Sequence, residues 1–283
     1  MESRCQRRTH RSTGRIRRLD RTGPVREEDR STFCSEHDRM PPLHRARPSM
    51  AGSLYIVGTP IGNPDDLSLR ALRTLQDVAV IAAEDPQCTQ ALLSRHGITT
   101  PLTSYQNDNK EEKIPVLIQR LREGRSVALV SDAGTPAIVD PGALLICEAL
   151  RQGIAVVPVP GPSALLTALS ASGLPCDTFV FAGMLPARQV ARRNFLRALR
   201  PEQRTLVLFE SPRRLPAALK AFRAALGNRR IVLACNLTSP REQFFRGTID
   251  EIIRTHTTSP IEGELTIVVE GARRLVRKKR KKR

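Results

Sequence analysis

Three loop sequences carry most of the chemical information in this 283-residue chain. They are Gly58-Thr59-Pro60-Ile61-Gly62-Asn63; Ser131-Asp132-Ala133-Gly134-Thr135-Pro136, running on to Asp140-Pro141-Gly142; and Pro158-Val159-Pro160-Gly161-Pro162-Ser163. Glycine lets a backbone approach a ligand closely, and proline fixes a loop's shape. None of the three is a phosphate cradle. Gly58 and Gly62 form GxxxG rather than GxGxxG, and no GxxxxGK[ST] occurs. The expected ligand is therefore a small zwitterion or a nucleoside rather than a nucleoside triphosphate. Taken singly, each loop reads as an ordinary tight turn; three at strand ends in one chain point to a pocket. Four carboxylates sit at similar places: Glu84 and Asp85 end an apolar run, Asp132 directly follows one, and Glu210 ends another. A carboxylate at a pocket edge is a candidate proton acceptor. For Asp132 the alternative is a turn-forming role, and for one of the pair Glu84 and Asp85 it is the cap of a helix at Pro86. Glu210 with Arg213 and Arg214 reads either as a phosphate grip or as a surface ion pair.

These residues need strands to present them. Ser53–Gly58 is a β-rich run ending in a Gly/Pro loop, Val78–Ala83 is a continuous apolar run of the kind expected for a parallel strand buried on both faces, and Val127–Val130 and Ile154–Pro158 read as strands. Between them lie helical patterns: one capped by Asp65 or Asp66 and carrying Leu67, Ala71, Leu72 and Leu75, then Pro86–His96, Glu111–Glu123 and Gly142–Gln152, the last three each closed by a glycine. Such alternation implies a parallel sheet with right-handed crossovers. After a small-residue helix over Ala164–Ser172 the pattern loosens. Strands are expected at Thr178–Ala182, Thr205–Phe209, Ile231–Ala234, Gln243–Arg246 and Glu264–Val269, and helices at Pro186–Leu199 and Arg214–Leu226. The fold class is α/β, with two α/β domains: residues 50–173 around an open, mainly parallel sheet and residues 174–271 around a mixed one. In open α/β sheets ligands bind beyond the carboxyl ends of the strands, where the three loops fall.

Charge is unevenly spread. Of the formal +18, residues 1–49 hold thirteen arginines and seven acids, residues 272–283 hold nine Lys/Arg and no acid, and residues 50–271 hold twenty-four basic and twenty-one acidic side chains. A polyanion partner is indicated by the ends more than by the body. Residues 1–49 lack periodicity and contain few large apolar residues. Two readings stay open for them: translation beginning at Met50, or a disordered basic arm that touches RNA. Residues 272–283 read as a disordered basic tail that attracts phosphate without sequence preference. No apolar run approaches the roughly 18 residues of a membrane span, so no membrane partner is expected. The six cysteines are at least 29 residues apart and form no CxxC pair, which fits a reducing cytoplasm and no metal site. His96 and His256 are assigned no role.

Together LYIVGTPIGN (54–63), AAED (82–85), ALVSDAGTPAIVDPG (128–142), VVPVPGPSALLTALSASGLPCD (156–177) and FESPRR (209–214) resemble the tetrapyrrole-methylase-like superfamily of S-adenosylmethionine-dependent methyltransferases. Within it they are similar to the branch that methylates the ribose 2′-oxygen of a cytidine in the decoding region of small-subunit ribosomal RNA. The resemblance spans roughly residues 53–271 and rests on the order of GTPIGN, SDAGTP and PGPSA. It implies two α/β domains with S-adenosylmethionine in the cleft between them, a homodimer, and rRNA of the 30S particle as partner. It assigns cofactor binding to Gly58, Thr59, Pro60, Ser131, Asp132, Ala133, Gly134, Thr135, Pro162, Ser163 and Ala164. Methyl transfer from a sulfonium is an in-line displacement that needs alignment and no metal. A nearby carboxylate suits the cation, and another accepts the ribose proton, so Glu84, Asp85, Asp132 and Glu210 are the catalytic candidates. Arg188, Arg192, Arg193, Arg213 and Arg214 are the candidates for holding RNA.

The chain departs from that branch in places. Where the branch usually reads AEDTR, Glu84-Asp85 is followed by Pro86-Gln87; where histidines with HN follow its SY, this chain has Ser104-Tyr105-Gln106-Asn107-Asp108-Asn109; where it reads RELTK, this chain has Cys235-Asn236-Leu237-Thr238-Ser239. Cys, Asn and Ser do not imitate an Arg/Glu/Lys set. Two other readings are carried forward: a tetrapyrrole or small-molecule methylase of the same fold, and a non-catalytic RNA-binding relative. Gly134-Thr135-Pro136, where tetrapyrrole members usually show GDP, favours RNA.

Overall fold

The computed structural model describes residues 51–256 and 263–273. The expectations for residues 1–49 and for the tail beyond Arg273 fall outside them. The first half runs β1 (Leu54–Val57), α1 (Leu69–Asp77), β2 (Val80–Ala83), α2 (Pro86–Arg95), β3 (Leu102–Ser104), α3 (Lys110–Arg122), β4 (Val127–Val130), α4 (Gly142–Arg151), β5 (Val156–Val159) and α5 (Ala164–Ser170). Its five strands lie in the order β3-β2-β4-β1-β5, every pair parallel. All four residues of β2 and of β4 are buried, the expected signature of strands covered on both faces. One face packs Ala71 and Leu75 of α1 and Leu93 of α2 against Val57, Ile81 and Val130. The other packs Leu117 and Leu121 of α3 and Leu145 and Ala149 of α4 against Leu54, Ala82 and Leu129.

The second half runs β6 (Phe179–Met184), α6 (Gln189–Ala198), β7 (Thr205–Glu210), α7 (Leu215–Leu226), β8 (Arg230–Cys235), β9 (Gln243–Thr248), α8 (Ile249–His256) and β10 (Leu265–Val269). The order is β6-β7-β10-β8-β9. Only β6 and β7 run parallel, so this sheet is mixed. Its outer face is covered by α6, α7 and α8 through Leu196, Leu219, Phe222 and Ile252. Its inner face packs Val207, Val232 and Val268 against Ala168 and Leu169 of α5 and against Ile61 from the loop after β1. The two-sheet α/β architecture read from the sequence is the one found.

Several boundaries moved for local reasons. Ser68, not Asp65 or Asp66, caps α1, its Oγ accepting from the Ala71 N–H at 3.1 Å. The two aspartates lie in a short 3-10 turn, Pro64–Asp66, capped by Asn63. Strand β2 starts at Val80 rather than Val78, because the Val78 N–H is still donated to Thr74 of α1. Strand β5 ends one residue later than read, in register with β1, and Pro158 is tolerated because β5 is an edge strand. The three-residue edge strand β3 and the helix α8 had no expectation attached: β3 is too short to show a period.

Candidate functional site

Sheet order creates the site. Strands β1 and β4 are neighbours, yet the helices that follow them, α1 and α4, lie on opposite faces. The chain leaves the two carboxyl ends in opposite directions and opens a crevice between them. The loops after β1 and β4 meet there directly. The Thr59 N–H donates to the Gly134 carbonyl at 2.9 Å and the Gly134 N–H returns to Thr59 at 3.1 Å. The buried Thr59 hydroxyl donates to the Ser131 carbonyl at 3.2 Å. Gly134 sits at φ +82°, a left-handed conformation that a side chain strains. The loop after β5 joins through Thr135, whose hydroxyl donates to the Pro162 carbonyl at 3.4 Å. It also joins by contact: a Cβ added at Gly58 would lie 2.9 Å from both N and Cα of Gly161. These glycines make a single backbone cradle out of three loops.

Carboxylates crowd this crevice. Asp132 accepts the Asp85 N–H at 2.8 Å, which fixes it beside the end of β2. Burial raises the Glu84 carboxyl above its usual range, and the charges of Asp132 and Asp140 raise it further. Glu264, just before β10, is raised by burial and then by Asp132. Asp140 is raised by burial, against the pull of two backbone N–H groups, Gly142 and Ala137, that donate to its Oδ1 at 2.7 Å each. Its other oxygen is buried with no hydrogen-bond partner. The loop around it is strained: Ala137 and Val139 stand at φ +72° and +71°. The buried Tyr105 hydroxyl holds it by donating to the Pro141 carbonyl at 3.2 Å.

Two cavities adjoin at Asp132. One, of about 410 Å³, is bounded by Glu84, Asp132, Asp140 and Ala164 on the first-sheet side and by Met184, Phe209, Glu210 and Glu264 on the second. The other, of about 470 Å³, is bounded by Thr59, Pro60, Ile61, Cys88 and Leu92. Ile61, Ser131, Asp132, Ala133 and Glu264 border both. A pocket with glycine-built walls and concentrated negative charge fits a small cationic ligand with hydrogen-bonding ends.

The sequence-derived candidates are divided by this geometry. Glu84, Asp132 and Glu210 face the first cavity. Asp85 does not: its Oδ1 accepts from Gln87 and Cys88 as the cap of α2, the role left open for one of the two acids. Glu210 is fully buried, accepting from Arg214 Nε at 2.6 Å and from the Ser211 N–H, with its Oε2 unpartnered. Thr59, Pro60, Ser131, Ala133 and Ala164 border the cavities, whereas Gly58, Gly134, Thr135 and Pro162 shape the cradle behind them and Ser163 caps α5. Of the arginines, Arg188, Arg193 and Arg213 are exposed. One expectation needs correcting. Arg214 is engaged by Glu210 and by the Leu185 carbonyl, so it is no open phosphate grip. Arg192 is only 8% exposed and lines a groove between α6 and α7. Asp140 and Glu264 are crevice carboxylates that the sequence does not distinguish: Asp140 lies in the loop after β4, but nothing near Glu264 in the sequence signals its meeting with Asp132. Among the described residues no group of His, Cys, Asp and Glu is arranged to hold a metal ion.

The departing segments are also placed. Cys235 ends β8 inside the core, where burial pushes its thiol up to about 11. Asn236 and Thr238 take positive φ, and Asn236 Oδ1 accepts the Glu264 N–H at 3.3 Å. This segment therefore supports an acidic residue of the crevice rather than presenting charge to solvent.

The pattern of the tetrapyrrole (corrin/porphyrin) methylases matches residues 53–253. Ribosomal RNA small subunit methyltransferase I of Halalkalibacterium halodurans is 47% identical over 220 residues, 78% of this chain and 76% of its own length. That of Escherichia coli O157:H7 is 44% identical over 231 residues, 81% of each. Among solved structures, uroporphyrin-III C-methyltransferase from Thermus thermophilus, complexed with S-adenosyl homocysteine, superposes with a TM-score of 0.55 at 22% identity, over 77% of this chain and 97% of that one.

Proposed function

The chain belongs to the tetrapyrrole (corrin/porphyrin) methylase family, among its ribosomal RNA small subunit methyltransferase I members, and from that premise we propose that it methylates small-subunit rRNA with S-adenosylmethionine, at the ribose 2′-oxygen of a cytidine in the decoding region. The relatives' names support the rRNA substrate; the resemblance carried by the motifs implies the cytidine, the 30S particle and a homodimer, the dispersed cysteines suit the cytoplasm, and the loosening of the β-α alternation supports a domain division near residue 173. One observation carries the chemistry: a buried-edge carboxylate, Glu84, and a solvent-facing one, Asp132, share a crevice walled by a glycine-built backbone cradle.

S-adenosylmethionine, when bound, supplies a methyl group on a cationic sulfonium for in-line displacement. Pro60, Ser131 and Ala133 on the cavity walls would hold such a molecule, while Thr59 and Gly134, whose backbone N–H and C=O groups pair with each other, keep that wall in shape. Asp132 and Glu264 give the crevice the negative charge that attracts a cation. Glu84, raised by burial and by Asp132, is a stronger base than an ordinary carboxylate and is placed to accept the proton that a ribose hydroxyl must lose. Ile138, Val139, Met184 and Phe209 supply the apolar rim that keeps water from the transferring methyl. Glu210 holds Arg214 at the second-sheet wall and is a positioning residue in this scheme.

The decisive test uses labelled S-adenosylmethionine with 30S subunits and, separately, with a porphyrinoid. The expected result is label in 30S RNA at a single nucleotide whose 3′ linkage resists alkali, the mark of a blocked 2′-oxygen. Label on the porphyrinoid would establish the small-molecule reading instead, and label on neither would leave a non-catalytic relative.

A further inference from the structure

The near-neutral charge of the body conceals a strongly polarised one. Residues 186–226 contain ten basic and two acidic side chains, so the rest of 50–271 holds fourteen against nineteen. Both acids of the basic stretch are committed: Glu202 to Arg204 at 2.8 Å and Glu210 to Arg214 at 2.6 Å. The uncommitted cations gather where α6 and α7 pack on the outer face of the second sheet. There a groove of about 630 Å³ is lined by Arg192, Arg193, Arg197, Arg200 and Lys220, over a floor of alanines at 217, 221 and 224. Among the described residues none of these five cations makes an ion pair, and no acidic residue lines the groove. Arg192 is more than nine-tenths buried, and its Nε has no hydrogen-bond partner.

A buried guanidinium N–H without an acceptor is costly, and a row of unpaired guanidinium groups repels itself. An oxyanion relieves both. Guanidinium forks match phosphate bidentately, and the alanine floor lets a chain of phosphates lie close to the helices. No aromatic side chain lines the groove, so bases cannot stack there. We propose that the groove between α6 and α7 grips the phosphodiester backbone of the rRNA, without reading its bases, on the face of the second sheet turned away from the methyl-transfer crevice. This rests on the rRNA reading given above and assigns to the groove a separate duty within it. The crevice selects the nucleotide, while the groove holds a second, distant stretch of backbone. Only a large folded RNA reaches both, so loss of the groove raises KM for the 30S particle and leaves kcat in place.

The test uses the full chain and the triple variant R193Q/R197Q/K220Q, all three positions exposed. Binding of a fluorescent single-stranded RNA of arbitrary sequence is measured across a salt series. Each phosphate contact contributes about 0.7 to the slope of log K against log salt, so three lost contacts flatten it by about 2 and weaken binding on the order of 100-fold at 0.1 M salt. K220Q alone flattens it by about 0.7, which keeps the test valid if the triple variant folds poorly. R193K/R197K keeps the charge and the slope. A triple variant with wild-type melting and wild-type slope overturns the proposal, as does one whose only loss is binding to acidic lipid vesicles. The two readings fail separately: a wild-type chain that binds RNA through the groove but transfers no methyl to 30S subunits refutes the enzymatic function alone.

Discussion

Gly58→Ala probes whether the three-loop cradle holds the methyl donor. The added Cβ would stand 2.9 Å from both N and Cα of Gly161, backbone atoms that cannot swing aside as a flexible side-chain end would. Ordinary contacts begin near 3.4 Å, so the loops after β1 and β5 must part by about half an ångström. Overpacking of this kind costs about 1–3 kcal/mol. In a chain of this size each kcal/mol lowers Tm by roughly 2–4 °C, so a fall of about 5 °C is expected. Displacing a binding wall by this much also weakens a ligand fitted to it, and tenfold weaker S-adenosylmethionine affinity, about 1.4 kcal/mol, is expected. Gly153→Ala supplies the comparison. It stands at φ +69° with nothing within 4 Å of an added Cβ, so it loses about 1–2 kcal/mol to backbone strain alone. Differential scanning calorimetry and titration calorimetry with S-adenosylmethionine should show both variants less stable and only Gly58→Ala impaired in binding. If the two lose stability alike and both bind as the wild type does, the cradle is not the cofactor site.

Asp132→Asn removes the charge that helps raise Glu84, Asp140 and Glu264. The three carboxyls should titrate lower, and S-adenosylmethionine should bind on the order of tenfold more weakly; carboxyl NMR titration and calorimetry read the two effects, and unchanged affinity would remove Asp132 from cation recognition. The pH dependence follows from the same shifts. With folded values raised above the unfolded ones, these three groups add stability fully below the usual carboxylate range and lose it as pH rises through their raised values. Attraction for a cation runs the opposite way, so affinity should fall as pH is lowered from neutrality through their raised values while these groups favour the fold; affinity constant across that descent contradicts the assignment. Glu210→Gln strands Arg214 beside a fully buried partner position. The loss should be about 2 kcal/mol, less than for a fully buried pair because Arg214 is 31% exposed, and E210Q/R214M should recover part of it in a urea melt.

Much of the fold is legible because it rests on local rules. Val127–Val130 is a strand at the residues read from its apolar run, and α2, α3 and α4 each stop just before the expected glycine. The loops of GTPIGN, SDAGTP and PGPSA fall at strand ends because short-range turn chemistry puts them there. The helix start at Pro86 is legible too, since an acid before a proline signals one, though which of Glu84 and Asp85 caps it is decided only by the structure.

What tertiary structure alone decided are the quantities that sum over distant neighbours. Glu264 joins the acidic crevice because β10 pairs antiparallel with β7 and β8, which brings its leading end to Asp132 across 132 positions of sequence. Arg192 and Arg214 look alike in an arginine-rich stretch. One is buried facing α7 without a partner for its Nε, and the other is tied to a carboxylate under the cavity, because helix rotation and sheet packing, not residue type, set what each side chain meets. Residue type and spacing determine which chemistry is available and which segments are strands, helices and turns. Burial, pairing and the resulting shifts in charge are properties of the assembled neighbourhood, and they alone separate the carboxylates and arginines that face the crevice or the groove from those that hold the fold together.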